Sequence, residues 1–374
     1  MRDIDGLGAV GWRSEAGLPP PKRVVLIDDT MKADMAYRLA CGGTAMLWRG
    51  DFQNAKMLLQ AIARRVDNRA NAAREAIKAG APAPFPQAFH LHRQAQAQRA
   101  RTLGMLLIPF DAGHVIPLGR APEVQLACYQ VYGAADAPYV TSLRELLGIV
   151  GAHEWRKSGI ELHAVGGRIH PHYGVFAPVR SEYVQLVADA TLPATELAFD
   201  IGTGTGVLAA VLARRGVARV VATESDARAL VCARENIAQL GLSDRVEVQD
   251  ANLFPEGVAP LIVCNPPWIP SRPSSPLEHA IYDFESRMLR GFLDGLAAHL
   301  TPDGEGWLIL SDIAEHLGLR TRDELLAWIE KAGLKVLGKT DIKPKHPRAA
   351  DATDPLHKVR AAEVTSLWRL AAKS

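Results

Sequence analysis

The sequence predicts an α/β chain: a doubly wound, mostly parallel sheet in the C-terminal half, preceded by a mainly helical α+β domain. Three observations carry this. From Leu197 to Ser311, strand and helix patterns alternate regularly, save that the strands Val246–Gln249 and Leu261–Cys264 follow one another, which implies βαβ units with right-handed crossovers. A glycine-rich turn closes the first of those strands. Before it, apolar positions recur mainly at helical spacing. At 374 residues the chain exceeds one ordinary core, since domains run to roughly 100–200 residues. Two domains are expected, over 1–165 and 166–374.

From Met31 to Val66 the apolar residues follow a helical period, and Asp51 stands where it can cap a helix that starts at Phe52. The run Gly80–Pro86 carries three prolines, which lack the amide donor and restrict the residue before each, so it reads as a loop. A polar helix over Gln87–Leu103, a short apolar strand over Met105–Phe110, and helices near Ala121–Tyr132 and Ser142–Lys157 follow. Between Ile160 and Phe176, short extended pieces punctuated by Gly166, Gly167, Pro171 and Gly174 predict a hairpin or linker. Beyond it the pattern gives strands Leu197–Ile201, Arg219–Thr223, Val246–Gln249, Leu261–Cys264 and Gly306–Ser311. Helices Val207–Arg214, Ala227–Leu240 and Glu285–Leu300 stand between them.

No run of about 18 apolar residues is present, so no membrane span is expected. Met1–Gly17 carries Asp3, Asp5 and Glu15 and lacks an apolar stretch, unlike a signal peptide, and a cytoplasmic protein is expected. Cys41, Cys128, Cys232 and Cys264 are isolated, with no CxxC pair, which predicts no metal site and no disulfide framework. The net charge of +2 hides an uneven distribution: between 56 and 101, nine Lys and Arg side chains, Lys56 to Arg101, face only Asp67 and Glu75. Such a stretch is either a solvated helix surface or a track for a phosphate backbone.

Three groups of residues carry chemistry. Phe199-Asp-Ile-Gly-Thr-Gly-Thr-Gly206 ends a strand and opens a helix, and glycine there lets the backbone approach a ligand closely. The spacing of Gly202, Gly204 and Gly206 differs from the GxGxxG of pyrophosphate-binding turns. Asp200 stands where a carboxylate can hold the ammonium of an amino-acid-bearing ligand, or cap the helix. Glu224 ends the next strand, roughly 20 residues after the glycines, the spacing at which a carboxylate binds ribose hydroxyls. Asn265-Pro-Pro-Trp268 follows a buried strand. Its prolines fix the backbone and leave carbonyl acceptors free, the Asn side chain adds an acceptor, and the Trp offers a stacking surface. That set suits a planar NH2 group, whose nitrogen lone pair it would orient toward an electrophile by positioning alone.

Together these residues resemble the class I S-adenosylmethionine-dependent methyltransferases, a Rossmann-like fold, and within them the branch with an Asn-Pro-Pro-aromatic motif, over about 170–320. The resemblance implies S-adenosylmethionine as cofactor, with no metal. It implies that the loop from Asp200 through Gly202, Thr203, Gly204 and Gly206 wraps the cofactor's amino-acid part, that Glu224 holds the ribose, and that Asp250 or Asn252 meets the adenine. Phe176, Arg180 and Tyr183 fall where this branch brings a loop and helix over the cofactor. Asn265, Pro266, Pro267 and Trp268 become the catalytic set. The run Asn265–Pro270 and the stretch Leu277–Leu296 are similar to release-factor glutamine methyltransferases. Ala251–Phe254 and a large N-terminal domain are closer to ribosomal RNA guanine-N2 methyltransferases. The expected activity is N-methylation of a glutamine amide in a translation protein, with the exocyclic amine of an RNA base, guanine or adenine, as the alternative. The partner is correspondingly a protein or an RNA.

Overall fold

The computed structural model describes residues 10–78, 85–179, 181–273, 276–344 and 356–373. The chain divides into two compact units, Met1–Glu154 and Trp155–Ser374. The division falls before the boundary placed near 165, because Leu162, Val165 and Ile169 join the same apolar cluster as Val207–Ala213 of the second unit.

The first unit runs β1 (Gly11–Trp12), β2 (Val24–Ile27), α1 (Ala33–Cys41), β3 (Ala45–Trp48), α2 (Phe52–Lys78), α3 (Phe85–Leu103), β4 (Leu106–Phe110), α4 (Gln125–Tyr132), β5 (Tyr139–Ser142) and α5 (Leu143–Ser158). Its strands form one sheet in the order β1-β5-β4-β3-β2, parallel except between β4 and β5. Most of this sheet escapes the sequence reading, which finds β4 alone. The helical pattern over 31–66 is interrupted: Gly43, at φ +71°, turns the chain out of α1, and Ala45-Met-Leu-Trp48 is buried along its whole length. A short, wholly apolar run buried on both faces has no period that separates strand from helix. Asp51 does cap α2, its Oδ1 accepting the Gln53 amide at 2.8 Å. Most of the proline loop at 80–86 lies outside the described residues. Pro86 belongs to the first turn of α3, where its missing N–H leaves nothing unpaired.

The second unit opens with the antiparallel hairpin β6 (Ile160–Leu162) and β7 (Gly167–Ile169). It continues through α6 (Glu182–Asp189), β8 (Leu197–Ile201), α7 (Val207–Arg214), β9 (Arg219–Glu224), α8 (Ala227–Gln239), β10 (Val246–Asp250), β11 (Ala259–Cys264), α9 (Arg287–His299) and β12 (Leu300–Ser311). α10 (Ile313–His316), α11 (Arg322–Lys331), β13 (Leu334–Ile342), α12 (His357–Ala362) and β14 (Thr365–Ala372) complete it. The sheet order is β10-β9-β8-β11-β12-β14-β13. Strands β8 to β12 are parallel, and β14 enters antiparallel between β12 and β13. This is the doubly wound sheet expected, with helices on both faces. α6 and α7 close one side, and α9 and α11 the other. Burial on both faces is why β8, β9 and β11 read as continuous apolar runs. From β8 the chain moves outward to β9 and β10, then returns to β11 on the other side. That reversal of strand order falls between β8 and β11, the place at whose carboxyl ends sheets of this kind bind their ligands.

Candidate active site

Strand register brings the sequence motifs together. Ile201 pairs with Cys264 and with Thr223, so the glycine loop after β8 and Asn265 after β11 leave the sheet side by side. Glu224 pairs with Asp250 at the ends of β9 and β10. Residues far apart in sequence thus share one edge of the sheet.

In the glycine loop the Thr203 amide donates to the Thr223 carbonyl at 2.9 Å, which ties the loop to β9. Gly204, at φ +58°, and Gly206, at φ +82°, take the left-handed region that favours glycine. A β-carbon at Gly204 would meet nothing within 4 Å, so the backbone there is open to a ligand. Asp200 is 1 % exposed. Its Oδ2 accepts the Thr203 hydroxyl at 2.6 Å and the Ala209 amide, in the first turn of α7, at 3.0 Å. Burial pushes its carboxyl up to about 6, opposed by those two hydrogen bonds and reinforced by the Glu224 charge. A buried carboxylate held off its ordinary value is a group ready for a cationic partner.

Glu224 folds its side chain back over the loop. Oε2 accepts the Gly204 amide at 3.1 Å, and Oε1 accepts the Ser225 and Asp226 amides at 2.8 and 3.0 Å. Carboxylate oxygens carry further lone-pair sites, so these bonds orient the group without exhausting it. Asp250 and Asn252 are both exposed. Phe176 is half-buried and packs against the core on the α6–α7 side. Tyr183 is buried, and Arg180 lies outside the described residues.

At the end of β11, Pro266 is buried and Asn265, Pro267 and Trp268 are half-buried. The Trp268 indole donates to Asn265 Oδ1 at 2.9 Å. This bond orients the Asn265 amide and leaves a second lone pair on that oxygen. Trp268 packs against the cores on both faces of the sheet, so the motif is anchored where the layers meet.

Three residues the sequence analysis passes over support the site. Asn236, fully buried in α8, donates to the Thr205 carbonyl at 3.0 Å and accepts the His170 amide at 2.7 Å, joining the glycine loop to the 170–179 segment. A single Asn on an apolar helix face is its only sequence signal. Asp283 and Met288 fall within the stretch Leu277–Leu296, where no pattern sets either apart from its neighbours. His172 meets Glu235 at 2.9 Å, and the His170 ring meets the Arg156 carbonyl at 2.7 Å. Both histidines therefore have hydrogen-bond partners of their own. Among the described residues no group of three His, Cys, Asp or Glu side chains is placed to hold a metal. Of the basic run at 56–101, Arg65 and Arg99 pair with Asp34 and Asp67.

A parallel sheet with a glycine loop at its switch point, a buried aspartate beneath the loop and an acid at the next strand end defines a nucleotide-type α/β enzyme. Residues 167–322 match the family model of the methyltransferase small domain. The ribosomal protein uL3 glutamine methyltransferase of Bordetella pertussis is 28 % identical over 294 residues, 73 % of this chain and 91 % of that protein. The release factor glutamine methyltransferase of Cereibacter sphaeroides is 33 % identical over 170 residues, 41 % of this chain and 58 % of that protein. The tRNA1(Val) (adenine(37)-N6)-methyltransferase of Shewanella amazonensis is 30 % identical over 169 residues, 41 % of this chain and 72 % of that protein. The chain belongs to the small-domain methyltransferases, enzymes of the class I S-adenosylmethionine-dependent family.

Proposed function

We propose that this protein methylates the side-chain amide of a glutamine in a protein of the translation apparatus. The supporting observation is one of extent. The uL3 glutamine methyltransferase aligns with 73 % of this chain, more than the second unit alone contains, whereas the tRNA adenine enzyme aligns with 41 % of it, about the length of the catalytic unit's methyltransferase core. Acceptor recognition is the task left to the first unit, so similarity that reaches into it bears on the substrate.

S-adenosylmethionine, when bound, supplies an electrophilic methyl on a sulfonium. The remaining roles belong to the chain. Asp200 and the backbone of Gly202–Gly206 hold the amino-acid end, Glu224 the ribose, and Asp250 or Asn252 the adenine. Phe176 covers the cofactor from the 170–179 segment. Asn265 and the carbonyls of Pro266 and Pro267 accept both hydrogens of the acceptor amide, aiming the nitrogen lone pair at the methyl group while Trp268 packs against the amide plane. No strong base would be required, because transfer would release the sulfonium as a neutral thioether and leave the nitrogen four-coordinate, cationic and still bearing two hydrogens, one of which is acidic enough to pass to water.

Labelled S-adenosylmethionine, incubated with the purified protein and an extract of its own source lacking the gene, tests the proposal. Label is expected in a protein band that mass spectrometry resolves to N5-methylglutamine. Label in RNA alone would overturn the glutamine reading and turn attention to the basic helices α2 and α3.

A further inference from the structure

Asp283 lies outside both sequence motifs, yet it is bonded to one and reaches the other through a single neighbour. It is 7 % exposed. Its backbone amide donates at 2.9 Å to the carbonyl of Ile269, the residue after Trp268. Its two carboxylate oxygens accept the amides of Met288 and Leu289, each at 3.0 Å, and so fix the first turn of α9. Met288 in turn covers the glycine loop, since a β-carbon added at Gly202 would run into its terminal methyl.

Two further features single out this corner. Glu285 and Ser286 both take left-handed backbone angles, at φ +60° and +54°, an arrangement that non-glycine residues hold only where the surroundings enforce it. The guanidinium of Arg320, 3 % exposed, stands within electrostatic reach of Asp283. Burial pushes the Asp283 carboxyl up, while the three amides of Leu289, Met288 and Arg287 and the Arg320 charge pull it down. Among the described residues the Nε and Nη2 of Arg320 have no hydrogen-bond partner. It therefore offsets the Asp283 charge without drawing its oxygens away from α9.

We infer that Asp283 is a positioning residue that holds the cofactor loop and the Asn-Pro-Pro-Trp motif in fixed relation, the first through Met288 and the second through Ile269. The inference rests on the reading of Gly202–Gly206 as the cofactor loop. Asp283→Asn keeps the shape but offers one good acceptor and a clashing NH2 to two amides. Met288→Ala empties the space over Gly202, and Met288→Leu refills it.

Calorimetric titration of the full chain with S-adenosylhomocysteine, alongside its unliganded thermal midpoint, decides the matter. Asp283→Asn and Met288→Ala are expected to bind about tenfold more weakly, the scale of one lost charge-assisted hydrogen bond or its packing equivalent. Met288→Leu should return to within about threefold of the unaltered chain. A folded Asp283→Asn with unchanged affinity overturns the inference alone. Should Asp283→Asn not fold, the Met288 pair decides, and equal binding by the Ala and Leu variants overturns it. Absence of binding by the unaltered chain removes the cofactor reading and the inference with it.

Discussion

Asn265 and Asp200 sit one strand apart, yet their environments assign them different work. Asn265 is half-buried and hydrogen-bonded to Trp268, whereas Asp200 is buried under the glycine loop with the Thr203 hydroxyl and the Ala209 amide. Asn265→Ala should lower turnover with little change in cofactor affinity, and Asp200→Ala should abolish cofactor binding. Equal loss of affinity in both, measured by titration, would refute this division. The Asp200 carboxyl also sets a pH dependence. Burial raises it to about 6 from an ordinary 3.8, so the unliganded fold favours the protonated form. Its contribution to stability is fully present below the ordinary value and is lost as pH rises through about 6. A cationic ligand group needs the ionised form, so cofactor affinity should rise over the same interval. An affinity flat between about pH 5 and pH 7 would count against an ammonium partner.

At the level of elements, helix ends carry much of the specification. Thr321 and Glu324 form a reciprocal capping box at the start of α11, with the Glu324 amide donating to Thr321 Oγ1 at 3.1 Å and the Thr321 amide to Glu324 Oε2 at 2.7 Å. Thr321→Ala is expected to lower stability by about 1 kcal/mol in urea unfolding, with cofactor affinity unchanged because α11 packs behind the sheet against β13 and α9. Asp226 caps α8 in the same manner, its Oδ1 accepting the Ala229 amide at 2.8 Å. Caps of this kind are visible in sequence, as Asp51 before α2 shows. Strands buried on both faces are less so. In β11, periodicity and flanking loops agree, and the strand is read correctly. In β3 the apolar run sits between two helical patterns, and nothing local distinguishes it from a turn of helix.

At the scale of the whole molecule, the second sheet buries an apolar core on each of its faces, and burial of this kind is the dominant favourable contribution to folding. Trp307 lies wholly buried in the middle of β12 with its indole donating to Glu305 at 3.0 Å. Its replacement by Ala should cost about 3–5 kcal/mol, and a thermal midpoint unchanged in that variant would contradict the packing described. The sequence by itself determined the alternation of strands and helices from β8 to β12, the three motifs at strand ends, and the chemistry those motifs suit. Each depends on local periodicity, glycine and proline geometry, or residue type, all of which are written in consecutive residues. Only the tertiary structure decided the five-stranded sheet of the first unit, the insertion of β14 between β12 and β13, and the contacts that bring Asn236, Asp283 and Met288 to the motifs. These rest on pairings between residues distant in the chain, where burial and register select a partner that no local pattern announces.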